Sequence, residues 1–168
     1  MIRNPEIQFA SADAIAAFQQ EYLREEIAYL YENSPYYRRM FDHCGARPDD
    51  IRTQEDLRRL PVTTKTDLQL HPQDFICVPR SRIIDYVTTS GTLGDPVTFA
   101  LTEEDLDRLA YNEAESFTTA GCTPEDVLQL MTTIDRRFMA GLAYFLGARK
   151  LRCGVFCFHP CMAEELPE

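Results

Sequence analysis

Ile83-Ile84-Asp85-Tyr86-Val87-Thr88-Thr89-Ser90-Gly91-Thr92-Leu93-Gly94-Asp95-Pro96-Val97-Thr98-Phe99-Ala100-Leu101 is the stretch on which the reading of this chain turns. Its two ends, 83–88 and 97–101, have β-branched and aromatic composition with partial alternation, so they read as strands. The centre joins hydroxyls, two glycines and a terminating proline, so a tight loop connects the two strands. Gly91 and Gly94 remove side chains that would hold a polyanion away, and they permit the positive φ values that let successive N–H groups converge into an anion-binding nest. Thr89, Ser90 and Thr92 add hydroxyl donors. On composition alone the plainer reading is a hairpin turn, because these residues are common in loops. Two better-known phosphate loops are excluded. Neither Gly-Lys-Ser/Thr nor Gly-x-Gly-x-x-Gly opening a helix is present.

Working outward, residues 12–32 place Ile15, Phe18, Tyr22, Leu23, Ile27, Leu30 and Tyr31 at helical spacing. Ser34 can cap, and Pro35 open, a second helix running to Cys44 and stopped by Gly45. Thr53 with Asp56, and Thr64 with Asp67, each set a capping hydroxyl three residues before an acid, predicting two short helical turns. From Asp74 the texture changes, with candidate strands at 75–78 and 83–88. Thr102 with Asp105 begins a helix whose Leu106, Leu109, Ala110, Glu113 and Phe117 follow a three-to-four-residue period up to Gly121. Residues 127–131 read as a buried strand, 137–146 as a helix ended by Gly147, and 155–158 as a further strand. Strand, helix, strand in that order implies a parallel pair joined by a right-handed crossover. The expected organisation is a helical N-terminal segment, 1–73, followed by a partial α/β subdomain, 74–168, the two together forming one domain of α/β class.

The chain has 168 residues, enough for a real core, and 45% are hydrophobic. Its formal net charge of −10 argues against binding nucleic acid, which needs clustered Lys and Arg. No run of 18 apolar residues and no apolar leader are seen, so the expectation is a cytoplasmic protein without a membrane role. Six cysteines, at 44, 77, 122, 153, 157 and 161, are scattered in a way that suits reduced thiols.

Thr89-Ser90-Gly91-Thr92-Leu93-Gly94-Asp95-Pro96 resembles the phosphate-binding signature of adenylate-forming enzymes, Ser/Thr-Ser-Gly-Thr-Thr/Ser-Gly-x-Pro. Asn33-Ser34-Pro35-Tyr36-Tyr37-Arg38-Arg39, Asp50-Ile51-Arg52, Leu60-Pro61-Val62-Thr63-Thr64-Lys65, Ala120-Gly121-Cys122-Thr123-Pro124 and Gly141-Leu142-Ala143-Tyr144 resemble successive segments of the phenylacetate-CoA ligase branch. The likeness runs from about residue 12 to residue 151. It implies an incomplete part of the large N-terminal domain of those enzymes. It also implies their chemistry: a carboxylate and ATP give an acyl-adenylate, which is then transferred to coenzyme A.

On that resemblance Thr89, Ser90, Gly91, Thr92, Leu93 and Gly94 hold the ATP phosphates with Mg²⁺, and Phe138 lines the pocket for an aryl carboxylate. Thr133 falls where a second aromatic is often found in the family. Leu93 replaces a hydroxyl and Asp95 a common lysine, which predicts weakened ATP affinity. The adenine- and ribose-binding motifs and the lysine that works in adenylation are expected beyond the matched segment, so the chain is expected to be a fragment or truncated homologue, inactive alone and with no catalytic residue of its own. A second reading is a non-catalytic binding or dimerisation module that uses an exposed sheet edge to form a homo-oligomer. A remote third is a Cys/His metal-binding protein, for which the Cys153, Cys157, His159, Cys161 tail has poor ligand spacing, so no metal ligand is assigned.

Overall fold

The computed structural model describes residues 5–89, 95–132 and 139–157. The chain divides into two compact units, one within Arg3–Arg80 and the other within Ser81–Glu168.

The first unit is helical. Helix α1, Ala12–Asn33, starts at Ser11, whose side chain accepts the Ala14 N–H at 3.3 Å. Ser34 ends α1 by donating its backbone N–H to Leu30 O at 2.9 Å, and it begins α2, Pro35–Cys44, by accepting the Tyr37 N–H at 3.3 Å. Its hydroxyl also donates to Asp74 O at 2.7 Å, so this fully buried serine joins three segments. Pro35 in the first turn lacks only an N–H that has no intrahelical partner there. Gly45, at φ 63°, stops α2; the Gly45 N–H reaches Asp42 O and the Ala46 N–H reaches Phe41 O, the paired bonds of a Schellman ending.

Ile27, Phe41, Ala46 and Ile51 make the core, flanked by Leu23, Tyr31, Met40 and Leu60. Tyr31 meets Phe41 edge-on, with centroids 5.8 Å apart, a favoured arrangement of two ring quadrupoles. Helix α3, Lys65–Leu70, carries the expected reciprocal box. The Thr64 N–H and hydroxyl donate to Asp67 at 2.7 and 2.6 Å, and the Asp67 N–H returns to Thr64 Oγ1 at 3.3 Å. Thr53 and Asp56 make the same exchange ahead of a 3-10 turn, Asp56–Arg59.

The strand expected at 75–78 does not form. Pro72–Phe75 is a 3-10 turn, and Phe75 packs its ring on Tyr36 with centroids 4.1 Å apart. Phe75 is taken up by this contact, and among the described residues 75–78 pairs with no strand.

The second unit mixes strands and helices. β1, Asp85–Thr88, and β2, Thr98–Leu101, pair antiparallel, with Asp85 opposite Leu101 and Thr88 opposite Thr98. Helix α4, Glu103–Thr119, starts in the Thr102–Asp105 box and ends at Gly121, φ 94°, with a second Schellman pair: Gly121 N–H to Thr118 O and Cys122 N–H to Phe117 O. β3, Val127–Leu130, and β4, Gly154–Cys157, are parallel, Val127 lying opposite Gly154, with α5, Met139–Leu151, between them in sequence.

Gly147 does not stop α5. The helix continues to Leu151, and Gly147 is buried against α4, where a Cβ built on it would lie 2.3 Å from Glu113 Cβ. Small residues on both helices, Ala110 and Ala114 on α4, Ala143 and Ala148 on α5, are buried as well, which allows a close approach of the two axes. The stop is made by Arg152, a non-glycine residue at φ 65°, with Arg152 N–H to Arg149 O and Cys153 N–H to Ala148 O.

Candidate functional site

The antiparallel register of β1 and β2 brings the two ends of the Gly/Thr-rich loop together. Beyond the last strand pair, the Thr89 N–H donates to Val97 O at 3.0 Å, and the Val97 N–H donates to Thr89 Oγ1 at 3.0 Å. Val87 and Val97 are buried, so the hairpin is anchored from inside while Thr89 and Asp95 stay exposed at its open end. The loop therefore leaves and re-enters one narrow base.

Among the residues expected to hold phosphate, Thr89 is described, and Ser90, Gly91, Thr92, Leu93 and Gly94 lie outside the described residues. Phe138, expected in the acid pocket, also lies outside them, as does Thr133. For Thr89 the fit to an anion is partial. Its N–H and its oxygen lone pair are engaged with Val97, which leaves the hydroxyl proton as its remaining donor.

One hydroxyl missed by sequence reading stands out. Thr132, just past the C-terminal end of β3, has a buried Oγ1 with no hydrogen-bond partner among the described residues. The C-terminal ends of parallel strands are where open α/β sheets bind ligands. The available signal is a hydroxyl following the apolar run 127–131, and it is a weak one because threonine is equally common in strands.

Among the described residues no group of three His, Cys, Asp or Glu side chains could hold a metal ion. Burial raises the Cys153 thiol pKa, and its Sγ donates to Thr123 O at 3.1 Å. Burial likewise raises Cys77. Neither has the depressed pKa of a reactive thiolate. His71 faces Asp74, with Nδ1 3.9 Å from the carboxylate, and Arg39 donates to the same aspartate at 2.5 Å. Among the described residues no helix is long and apolar enough to cross a membrane.

This arrangement of helices and strands recurs in solved enzymes. A crystal structure of 2-hydroxyisobutyryl-CoA ligase, in the postadenylation state with 2-HIB-AMP, matches 90% of this chain with a TM-score of 0.78 and 28% identity. The same ligase with 2-HIB-AMP and CoA, in the thioesterification state, gives 0.79 and 30%. The fold is thus that of part of an adenylate-forming CoA ligase.

No protein-family model matches the chain. Phenylacetate-coenzyme A ligase of Escherichia coli K12 is 38% identical over 146 residues, 86% of this chain and 33% of that enzyme. The Pseudomonas putida enzyme is 35% identical over 150 residues, 89% of this chain and 34% of its own length. Phenylacetate-coenzyme A ligase of Thermus thermophilus is 38% identical over 125 residues, 74% of this chain and 28% of the enzyme. The chain is a relative of the phenylacetate-CoA ligases and spans about a third of their length.

Proposed function

We infer that residues 89–94 form the phosphate-holding loop of a phenylacetate-type CoA ligase, carried on the hairpin of β1 and β2. The observation that carries the reading is the Thr89–Val97 closure, which sets a glycine- and hydroxyl-rich loop on a narrow base backed by the buried Val87 and Val97. The similarity to enzymes crystallised with acyl-adenylate and CoA supports it.

In the complete reaction a carboxylate oxygen attacks the α-phosphorus of ATP and pyrophosphate leaves; the CoA thiol then attacks the acyl carbon and AMP leaves. ATP supplies the activation, and Mg²⁺ offsets charge on its phosphates. The role of this chain is electrostatic. Donors preorganised at the loop stabilise charge building on the leaving pyrophosphate, an effect of about 3 kcal/mol for one such donor in other enzymes. An aryl carboxylate, walled in part by Phe138, is the substrate class.

The test is a melting curve with and without ATP and Mg²⁺. A ligand at 100 times its Kd stabilises the native state by about 2.7 kcal/mol. The expected result is a rise in Tm that a Gly91→Val, Gly94→Val double variant abolishes. An unchanged Tm at millimolar ATP would overturn the reading.

A further inference from the structure

β3 is entered from α4 and β4 from α5, and the two strands lie side by side in parallel. Both helices end alike. Left-handed Gly121 closes α4 and is followed by Cys122, whose N–H donates to Phe117 O at 2.9 Å; left-handed Arg152 closes α5 and is followed by Cys153, whose N–H donates to Ala148 O at 3.1 Å. A cysteine therefore stands at the equivalent position of each ending, and the strand register draws the two endings together. Gly154 lies opposite Val127, its N–H donates to Asp126 O at 3.0 Å, and Cys153 Sγ donates to Thr123 O at 3.1 Å. Thr123 is the residue next to Cys122, and its N–H and hydroxyl both donate to Asp126, at 2.7 and 2.9 Å, which fixes the turn. Cys153 is 8% exposed, whereas Cys122 is half-buried. Burial raises the Cys153 thiol pKa, and the neighbouring Cys122 thiol raises it further.

From this juxtaposition we propose that Cys122 and Cys153 are a dithiol modification site, which a small disulfide such as oxidised glutathione converts into an intramolecular disulfide tying the end of α4 to the end of α5. Cys122, the more accessible thiol, reacts first. As a thiolate it attacks one glutathione sulfur; a mixed disulfide forms, and the other glutathione half leaves as a thiolate and takes up a proton. Cys153 then gives its proton to solvent, attacks the Cys122 sulfur and releases the second glutathione thiolate, which is protonated in turn. Two protein thiols lose two electrons and one glutathione disulfide becomes two thiols, so no other co-reactant is needed. The raised Cys153 pKa makes its step the slower one, because less of it is thiolate at neutral pH. The new bond closes the chain between 122 and 153, which constrains the unfolded state and stabilises the folded one. The site needs no working phosphate loop.

The test incubates the 168-residue chain with oxidised glutathione at about pH 8, where some thiolate is present. The expected product has a Cys122–Cys153 bond, located by fragmentation of the linked peptides in a mass spectrometer, and dithiothreitol reverses it. Its Tm exceeds that of the reduced chain by about 5 °C or more. Cys153→Ser keeps a hydroxyl for Thr123 O, and it holds at least about tenfold more glutathione on Cys122 than the parent chain, because the displacing thiol is gone. In Cys122→Ser the buried Cys153 stays reduced and the rise in Tm is lost. Three results would each overturn the proposal: glutathione retained on Cys122 in the parent chain, a bond from either residue to another of the six cysteines, or both thiols left free after the exposed Cys44 has reacted. Because ATP takes no part, failure of this pair and failure of the ATP-dependent melting shift are separate outcomes.

Discussion

Replacing Gly147 with alanine adds one carbon at the closest approach of α4 and α5, and its effect is set by two opposing terms. The new Cβ would stand 2.3 Å from Glu113 Cβ, 3.0 Å from Glu113 C and 3.1 Å from Ala114 N. Carbon atoms pack at about 3.5–4.0 Å, so the helices must part by about 1 Å or more. No rotamer change relieves this, because the atoms met are backbone and a Cβ. Overpacking of this kind costs about 1–3 kcal/mol, and the backbone contact places it at the upper end. Alanine returns about 1 kcal/mol through its better helix propensity. The expected net loss is about 2 kcal/mol, which for a chain of this length lowers Tm by about 4–8 °C. Urea unfolding followed by far-ultraviolet circular dichroism measures it. If Gly147→Ala is neutral or gains about 1 kcal/mol, propensity has won and the two helices do not approach at this glycine.

Three further outcomes are expected. Arg152→Gly should stabilise the protein by about 1 kcal/mol, since a left-handed backbone costs a residue with a side chain about that much; a lower denaturation midpoint would contradict the φ of 65°. Ser34→Ala should cost about 1–3 kcal/mol, because it leaves the part-buried Asp74 carbonyl and Tyr37 N–H without their serine partner, and a loss below about 0.5 kcal/mol would show that water replaces both bonds. Asp56, Asp67 and Asp126 are held below the usual carboxylate range, chiefly by the Arg52 N–H, the Thr64 hydroxyl and the Thr123 N–H respectively. Their contribution is therefore fully present above the unfolded aspartate pKa of about 3.9 and is lost as pH falls through the lower folded values. Urea midpoints measured from pH 6 downward should be flat at first and fall only below about pH 4, and a midpoint that stays level through pH 3 would refute that linkage.

What could be read from sequence depended on how far apart the interacting residues lie. The Thr64–Asp67 and Thr102–Asp105 boxes close within four residues, so their bonds are legible in the string itself, and the same holds for Ser34 and Pro35 at the α1–α2 junction. Gly45 and Gly121 also take the stop positions their spacing implies. Gly147 defeats the sequence reading because a glycine near a helix end serves equally as a stop and as a point of close approach. Only Glu113, on another helix, distinguishes the two. Arg152 gives no signal, since an arginine carries no preference for the left-handed backbone that the Arg152–Arg149 and Cys153–Ala148 bonds of this helix end require. The 75–78 segment fails as a strand because a strand needs a partner, which local composition does not encode. At the site, the hairpin is legible from its two flanks, whereas Thr89 binding Val97 with both backbone and hydroxyl is not.

The threonine–aspartate pairs have one more consequence, for what the acidity of the chain means. A net charge of −10 invites the idea of a surface that captures divalent cations. Yet Asp56, Asp67, Asp105 and Asp126 each already accept two or more hydrogen bonds from the threonine three residues before them. Each of these carboxylates spends one oxygen, Oδ2, on the threonine before it, so a cation recruited there would compete with those bonds for that oxygen and would meet only part of the ligand capacity that the net charge suggests.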